Sequence, residues 1–180
     1  MSEGHRSEAM FDPAEILRVL HDHGVDFVVI GGMAAALHGA DHITTDIDIT
    51  PRAARTNLTR LSAALRDLDA RIRVEGVPDG LVFDHDGESL GRARIWNLMT
   101  RSGDLDVSFV PAGTGGFGDL DRHAVTILLR GVPTRIAALA DVVRSKEAAN
   151  RPKDRLALPT LRRLLAVSEA QHGSEPDDDR

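Results

Sequence analysis

The apolar positions of this chain fall into short runs, separated by turn-forming residues, whose spacing switches between helical and extended periods. Asp12-Pro13 opens the first predicted helix, because aspartate caps a helix start and proline fits its first position. Ile16, Leu17, Val19 and Leu20 give that helix one apolar side, and Gly24 ends it. Residues 25–30 (VDFVVI) read as a buried strand, followed by Gly31-Gly32 and a short alanine-rich helix reaching His38-Gly39. Residues 46–50 (DIDIT) alternate polar and apolar at the strand period, with Pro51 closing the run. An amphipathic helix is predicted over 53–68 and a strand over 71–75, whereas the turn-rich stretch 76–91 predicts no definite element. Residues 93–100 and 105–110 predict a hairpin around Arg101-Ser102-Gly103. A glycine-rich loop at 111–118, a strand over 125–129, a helix over 136–150 broken by Pro152, and a last helix from about 158 to 170 complete the chain.

This order predicts an α/β (α+β) fold: a small mixed sheet with helices packed against it and helices at the C-terminal end. With 180 residues, the expectation is one domain over 11–172, a flexible segment 1–10 and a disordered acidic tail 173–180. Cysteine is absent, which removes thiol catalysis, disulfides and cysteine-ligated zinc. Tyrosine is absent too, and aromatics make up only 3%, which argues against an aromatic platform for single-stranded nucleic acid. The apolar stretch 27–37 is too short to span a bilayer, and the first ten residues hold no apolar signal core, so the expected location is the cytoplasm.

The net charge of −6 is unevenly spread. Residues 130–165 hold nine Lys/Arg against three Asp/Glu, while the rest of the body and both ends are acidic. An acidic body can hold metal ions and a basic region can hold phosphates, although two differing solvated faces give the same composition.

Asp46 and Asp48 are the first candidate chemistry. On a strand, positions i and i+2 share a face, so both carboxylates project together while Ile47 and Ile49 turn to the core. Side-by-side carboxylates suit a hard cation such as Mg²⁺. Asp-x-Asp alone is weak evidence: the chain has 20 Asp and repeats the pattern at five other places, where a solvated turn or helix face is the ordinary reading. The context of Asp46/Asp48 differs. They follow a buried strand that ends in Gly31-Gly32 at a helix start, where free backbone N–H groups and missing side chains admit a phosphate. Downstream, Asp104, Asp106 and Ser108 share one face of the second hairpin strand. If that strand lies beside the Asp46/Asp48 strand, Asp106 completes a three-carboxylate site for one or two Mg²⁺ ions and can assist deprotonation of a hydroxyl. Asp104, nearer the turn, competes for that role. Gly113, Gly115 and Gly118 spell a dinucleotide-like fingerprint, but too few residues follow before the next strand to form the required helix.

The segment GGMAAALHGADHITTDIDI resembles the signature of the nucleotidyltransferase superfamily, and the finer resemblance is to its AbiEii/MenAT-type toxin branch. That branch carries a C-terminal lysine motif similar to RSKEAANRPKDRLALPTLRRL here, with Lys146, Arg151, Lys153 and Asp154. The resemblance covers roughly residues 14–167 in order. It implies a nucleotidyltransferase fold in which Asp46, Asp48 and Asp106 bind metal and act in catalysis with Lys146. It also implies that Gly31, Gly32, Thr44, Lys146 and Arg151 bind the nucleotide, with Asp154 orienting the basic side chains. Where the branch often has arginine shortly before Asp-x-Asp, this chain has His42, a shorter and only partly charged group.

The resulting expectation is a Mg²⁺-dependent transferase that moves NMP from an NTP to an acceptor hydroxyl and releases pyrophosphate. The branch implies the 3′ end of tRNA as acceptor and the role of toxin in a toxin–antitoxin pair, with a cognate antitoxin protein as a partner. The alternatives are an antibiotic-modifying nucleotidyltransferase and a non-catalytic nucleotide-binding protein or antitoxin.

Overall fold

The computed structural model describes residues 10–41 and 43–172. His42, most of the segment expected to be flexible at the N-terminus, and the acidic tail 173–180 lie outside the described residues. Among the described residues, no helix is long and apolar enough to cross a membrane.

Helix α1 (Pro13–Asp22) starts where expected, the Asp12 carboxylate accepting from the Glu15 N–H. Its apolar side lies against β1 (Phe27–Ile30) and β2 (Asp46–Pro51) in one continuous core. Between these strands sits the short α2 (Gly31–Leu37). Helix α3 (Arg55–Asp67) follows, buried through Leu58, Leu61 and Leu65. Pro51 belongs to β2, pairing with Phe27, rather than closing the strand before it.

The segment left without a definite element holds two. Strand β3 (Arg71–Val74) turns at Glu75-Gly76 into β4 (Val77–Leu81), and α4 (Gly87–Leu90) is capped by Asp86. Pro78 and Gly80 mask β4 in the sequence, yet proline is tolerated there because β4 is an edge strand. The predicted hairpin is present as β5 (Ile95–Thr100) and β6 (Gly103–Ser108), in register from Ile95↔Ser108 to Thr100↔Gly103.

The expected loop 111–118 runs into a short α5 (Phe117–Asp121). After β7 (Val125–Leu129), the sequence reading misses β8 (Val132–Ile136) and starts the next helix too early. Arg130 and Gly131 both take positive φ and close a two-residue hairpin, but Arg-Gly is not the usual signature of that turn, and Pro133 obscures the strand. Ile136 therefore ends a strand, and α6 spans Leu139–Ala149, terminated by Asn150 in the left-handed conformation. Pro152 does not merely break a helix. It begins α7 (Pro152–His172), where its missing N–H costs nothing, and Pro159 is accommodated within that helix.

Among the described residues, eight strands form one mixed sheet in the order β4-β3-β5-β6-β2-β1-β8-β7. The β2–β6 and β1–β8 pairs are parallel and the others antiparallel. Ile47, Ile49, Leu98, Leu105 and Val107 face the main core with α1 and α3. On the opposite face, Val28 joins a second core with α2, α5, α6 and α7. That helix layer stops short of β5, where Ile95 and Asn97 are exposed. The step between the covered and open halves of this face runs along β2.

Candidate active site

Parallel pairing of β2 with β6 sets Asp46 opposite Asp104 and Asp48 opposite Asp106. The strand period then fixes the rest. Ile47, Ile49, Leu105 and Val107 are buried, so the aspartates between them point to the other face, into the step. A cleft of about 350 Å³ opens there, lined by Gly31, Gly32, Asp46, Asp48 and Asp106 on one side and by Lys146, Arg151 and Lys153 on the other.

Gly31 begins α2 with φ +64°, and a Cβ at this position would fall 2.9 Å from Cγ of Asp48. Glycine is thus demanded twice, by backbone conformation and by the carboxylate packed against its Cα. The α2 N-cap, Ile30, offers no side-chain bond to the first N–H groups. Thr44 does not line the cleft; its hydroxyl donates to Asp46 Oδ1 at 3.0 Å and so orients that carboxylate.

Burial, and then the neighbouring Asp46 and Asp106 charges, push Asp48 up to about 6. Asp106 is also raised, chiefly by burial, against the lowering effect of Arg73. Arg73 comes from β3 and reaches over β5: its Nη1 donates to Asp104 Oδ2 at 2.5 Å and its Nη2 to Asp106 Oδ1 at 2.7 Å. Among the described residues, no three carboxylate or imidazole groups converge as they stand into a cage for a metal ion. The donor chemistry nevertheless fits a divalent cation. Asp46, Asp48 and Asp106 share a cleft floor, Asp48 resists ionisation through burial first and then its acidic neighbours, and among the described residues neither Asp46 nor Asp48 makes an ion pair with a basic side chain.

The basic wall is built around Asp154, a fully buried carboxylate in the first turn of α7. Lys146 Nζ donates to its Oδ1 at 3.3 Å, and Arg151 Nε donates to its Oδ2 at 2.7 Å. Burial opposes ionisation of Asp154, but these bonds outweigh it and hold the carboxyl below its ordinary value. Asp154 lies behind the cleft and aims two cations into it.

The cleft thus gathers Gly31, Gly32, Asp46, Asp48, Asp106, Lys146 and Arg151, while Thr44 and Asp154 support it from outside. The sequence reading assigns no role to Arg73, Asn97, Ser108, Asp141 or Ser145, and quotes Lys153 only as part of a motif. All but Arg73 line the cleft. Arg73 carries a legible signal in RIRV, whose alternation puts Arg71 and Arg73 on one face, but the sequence does not say that β3 lies two strands from β6.

No protein-family model matches the chain, and no curated protein gives a significant match. Solved structures do resemble it. The structure of ANT(2″)-Ia in complex with adenylyl-2″-tobramycin superposes with a TM-score of 0.52 at 15% identity, covering 88% of this chain and 90% of that one. The fold is nucleotidyltransferase-like. A nucleotidyltransferase candidate from Thermotoga maritima gives a TM-score of 0.48 at 17% identity, over 90% of this chain and 99% of the other. An antigenic nucleotidyltransferase-like protein from Paracoccidioides brasiliensis gives 0.44 at 14% identity, over 84% and 77%.

Proposed function

We propose that this chain is a Mg²⁺-dependent nucleotidyltransferase that moves an NMP unit from an NTP to an acceptor hydroxyl and releases pyrophosphate. The parallel β2–β6 pairing carries this reading, since it puts Asp46, Asp48 and Asp106 on the floor of a cleft whose opposite wall is basic. Asp46 and Asp48, joined by Asp106, would hold Mg²⁺, which supplies charge neutralisation at the phosphate oxygens. Lys146, Arg151 and Lys153 bind the triphosphate as cations, and the backbone of Gly31 and Gly32 lets its oxygens approach without steric hindrance. Thr44 keeps Asp46 oriented, and Asp154 keeps Lys146 and Arg151 aimed at the cleft. The acceptor oxygen bonds to the α-phosphorus as the bridge to the β-phosphate breaks, and Asp106 receives the acceptor proton.

The acceptor we favour is the 3′ end of tRNA, which would make the protein the toxin of a toxin–antitoxin pair. The supporting observation is the set of exposed basic residues on α7: Lys153 lines the cleft, and Arg155, Arg162 and Arg163 lie elsewhere on the helix, Arg162 pairing with Glu147. A small-molecule acceptor is the second reading. The structure of ANT(2″)-Ia, whose fold this chain resembles, holds an adenylylated aminoglycoside.

The test is transfer from each of four α-³²P-labelled NTPs with Mg²⁺, offered total tRNA or an aminoglycoside, with Asp46→Ala as control. Label on tRNA that disappears in the variant supports the favoured reading, and label on the drug supports the second. Nucleotide binding without transfer to either acceptor points to a non-catalytic nucleotide-binding protein.

A further inference from the structure

Four aspartates line the paired segments of β2 and β6, but the protein does not treat them alike. The two on β6 are bridged by one guanidinium. Arg73 Nη1 bonds Asp104, and Nη2 contacts both oxygens of Asp106, at 2.7 and 3.0 Å. Among the described residues, the two on β2 form no such bridge. Asp46 accepts from the neutral Thr44 hydroxyl, and Lys153 and Arg151 influence Asp48 only through space. A planar fork that satisfies two carboxylates is among the stronger ionic contacts a protein makes, and the Asp106 side chain is only 19% exposed. Both Asp106 oxygens are therefore already engaged by a cation that belongs to the chain.

We propose that Arg73 is a built-in counter-ion that competes with the divalent cation for Asp106. Without nucleotide, the cation is held by Asp46 and Asp48 alone. Asp106 joins it only when Arg73 lets go, so Arg73 sets the cation affinity of the free protein. This rests on the metal-dependent reading above and concerns the same site. Arg73 acts through Asp106 and is a positioning residue.

Mn²⁺ titration of the full chain, followed by the electron paramagnetic resonance signal of the free ion, tests this without reference to activity. Arg73→Met should bind Mn²⁺ about tenfold more tightly than the wild type. Asp106→Asn in the wild-type background should change affinity by less than about threefold, because Asp106 is already engaged, but in Arg73→Met it should erase the gain. Arg73→Lys, which keeps the charge and loses the fork, should fall between the two parents. Thermal unfolding of each variant confirms that it is folded, and Arg73→Lys carries the test if Arg73→Met is not. Equal affinity in Arg73→Met and wild type, weaker binding in Arg73→Met, or a gain that survives Asp106→Asn overturns the proposal. In the last case Arg73 acts only by long-range repulsion. Mn²⁺ binding that is lost in Asp48→Asn but unaltered in Arg73→Met sinks the Arg73 inference alone, whereas no Mn²⁺ binding in any folded variant sinks the metal-dependent reading with it.

Discussion

Asp48 is held where its charge is disfavoured, by burial first and then by Asp46 and Asp106, and it titrates at about 6 instead of 3.8. The folded protein therefore binds this proton more tightly than the unfolded chain does. The stabilisation this brings is complete below about 3.8 and is lost as the pH rises through about 6. The full shift corresponds to at most about 3 kcal/mol. Asp48→Asn removes the penalty, so at pH 7.5 and without metal the variant should melt several degrees above the wild type, while at pH 4 the two should converge. Thermal unfolding at the two pH values checks this. A variant that melts lower at pH 7.5 would mean that the ionised carboxylate is favourably placed. A residue that costs stability in the resting fold is what a cation-holding position predicts, since the cation relieves the repulsion.

At the scale of elements, Asp154 is the joint between α6 and α7. The chain leaves α6 through Asn150 in the left-handed conformation and enters α7 at Pro152, and the Arg151 N–H itself donates to Asp154 Oδ2. Lys146 near the end of α6 and Arg151 in the connection share this one anion. Its stabilisation is present above the ordinary carboxylate value and is lost as the pH falls through its depressed folded value. Asp154→Ala should cost about 2–4 kcal/mol in urea unfolding, because two cations lose a buried partner, one of them partly screened by solvent. The same substitution should weaken NTP binding, measured by the melting shift that nucleotide produces. Unchanged nucleotide binding in a destabilised variant would limit Asp154 to a structural role.

Across the whole molecule, the sheet supplies the acidic floor and the last two helices supply the basic wall. Beyond the cleft, Arg155 and Arg163 are exposed on another side of α7. If tRNA lies along it, log affinity should fall with log salt, losing about 0.7 in slope for each single-stranded phosphate contact removed. Arg155→Ala/Arg163→Ala should thus reduce the slope by about 1.4, with the melting shift by NTP unchanged. A filter-binding salt series measures it, and an unaltered slope would take the RNA path off α7.

The strands and helices that carry the site were legible because their patterns are local. DIDIT alternates cleanly, Asp12-Pro13 caps α1, and Gly31-Gly32 stands where a strand must turn into a helix beside a carboxylate. Strand β4 was hidden by Pro78 and Gly80, which are tolerated because it is an edge strand, and β8 by Pro133, which lies away from Ile136, where β8 pairs with β1. By itself, the sequence determined which residues share a face: Asp46 with Asp48, Asp104 with Asp106, and Arg71 with Arg73. Only the tertiary structure decided which faces meet. The parallel β2–β6 pairing joins segments more than fifty residues apart, the order β3-β5-β6 brings Arg73 onto Asp104 and Asp106, and the docking of α6 and α7 carries Lys146, Arg151 and Lys153 to the cleft. The physical reason is that a side-chain period is set by the backbone of one strand, whereas neighbour order is set by the burial of a whole core, which no single segment contains.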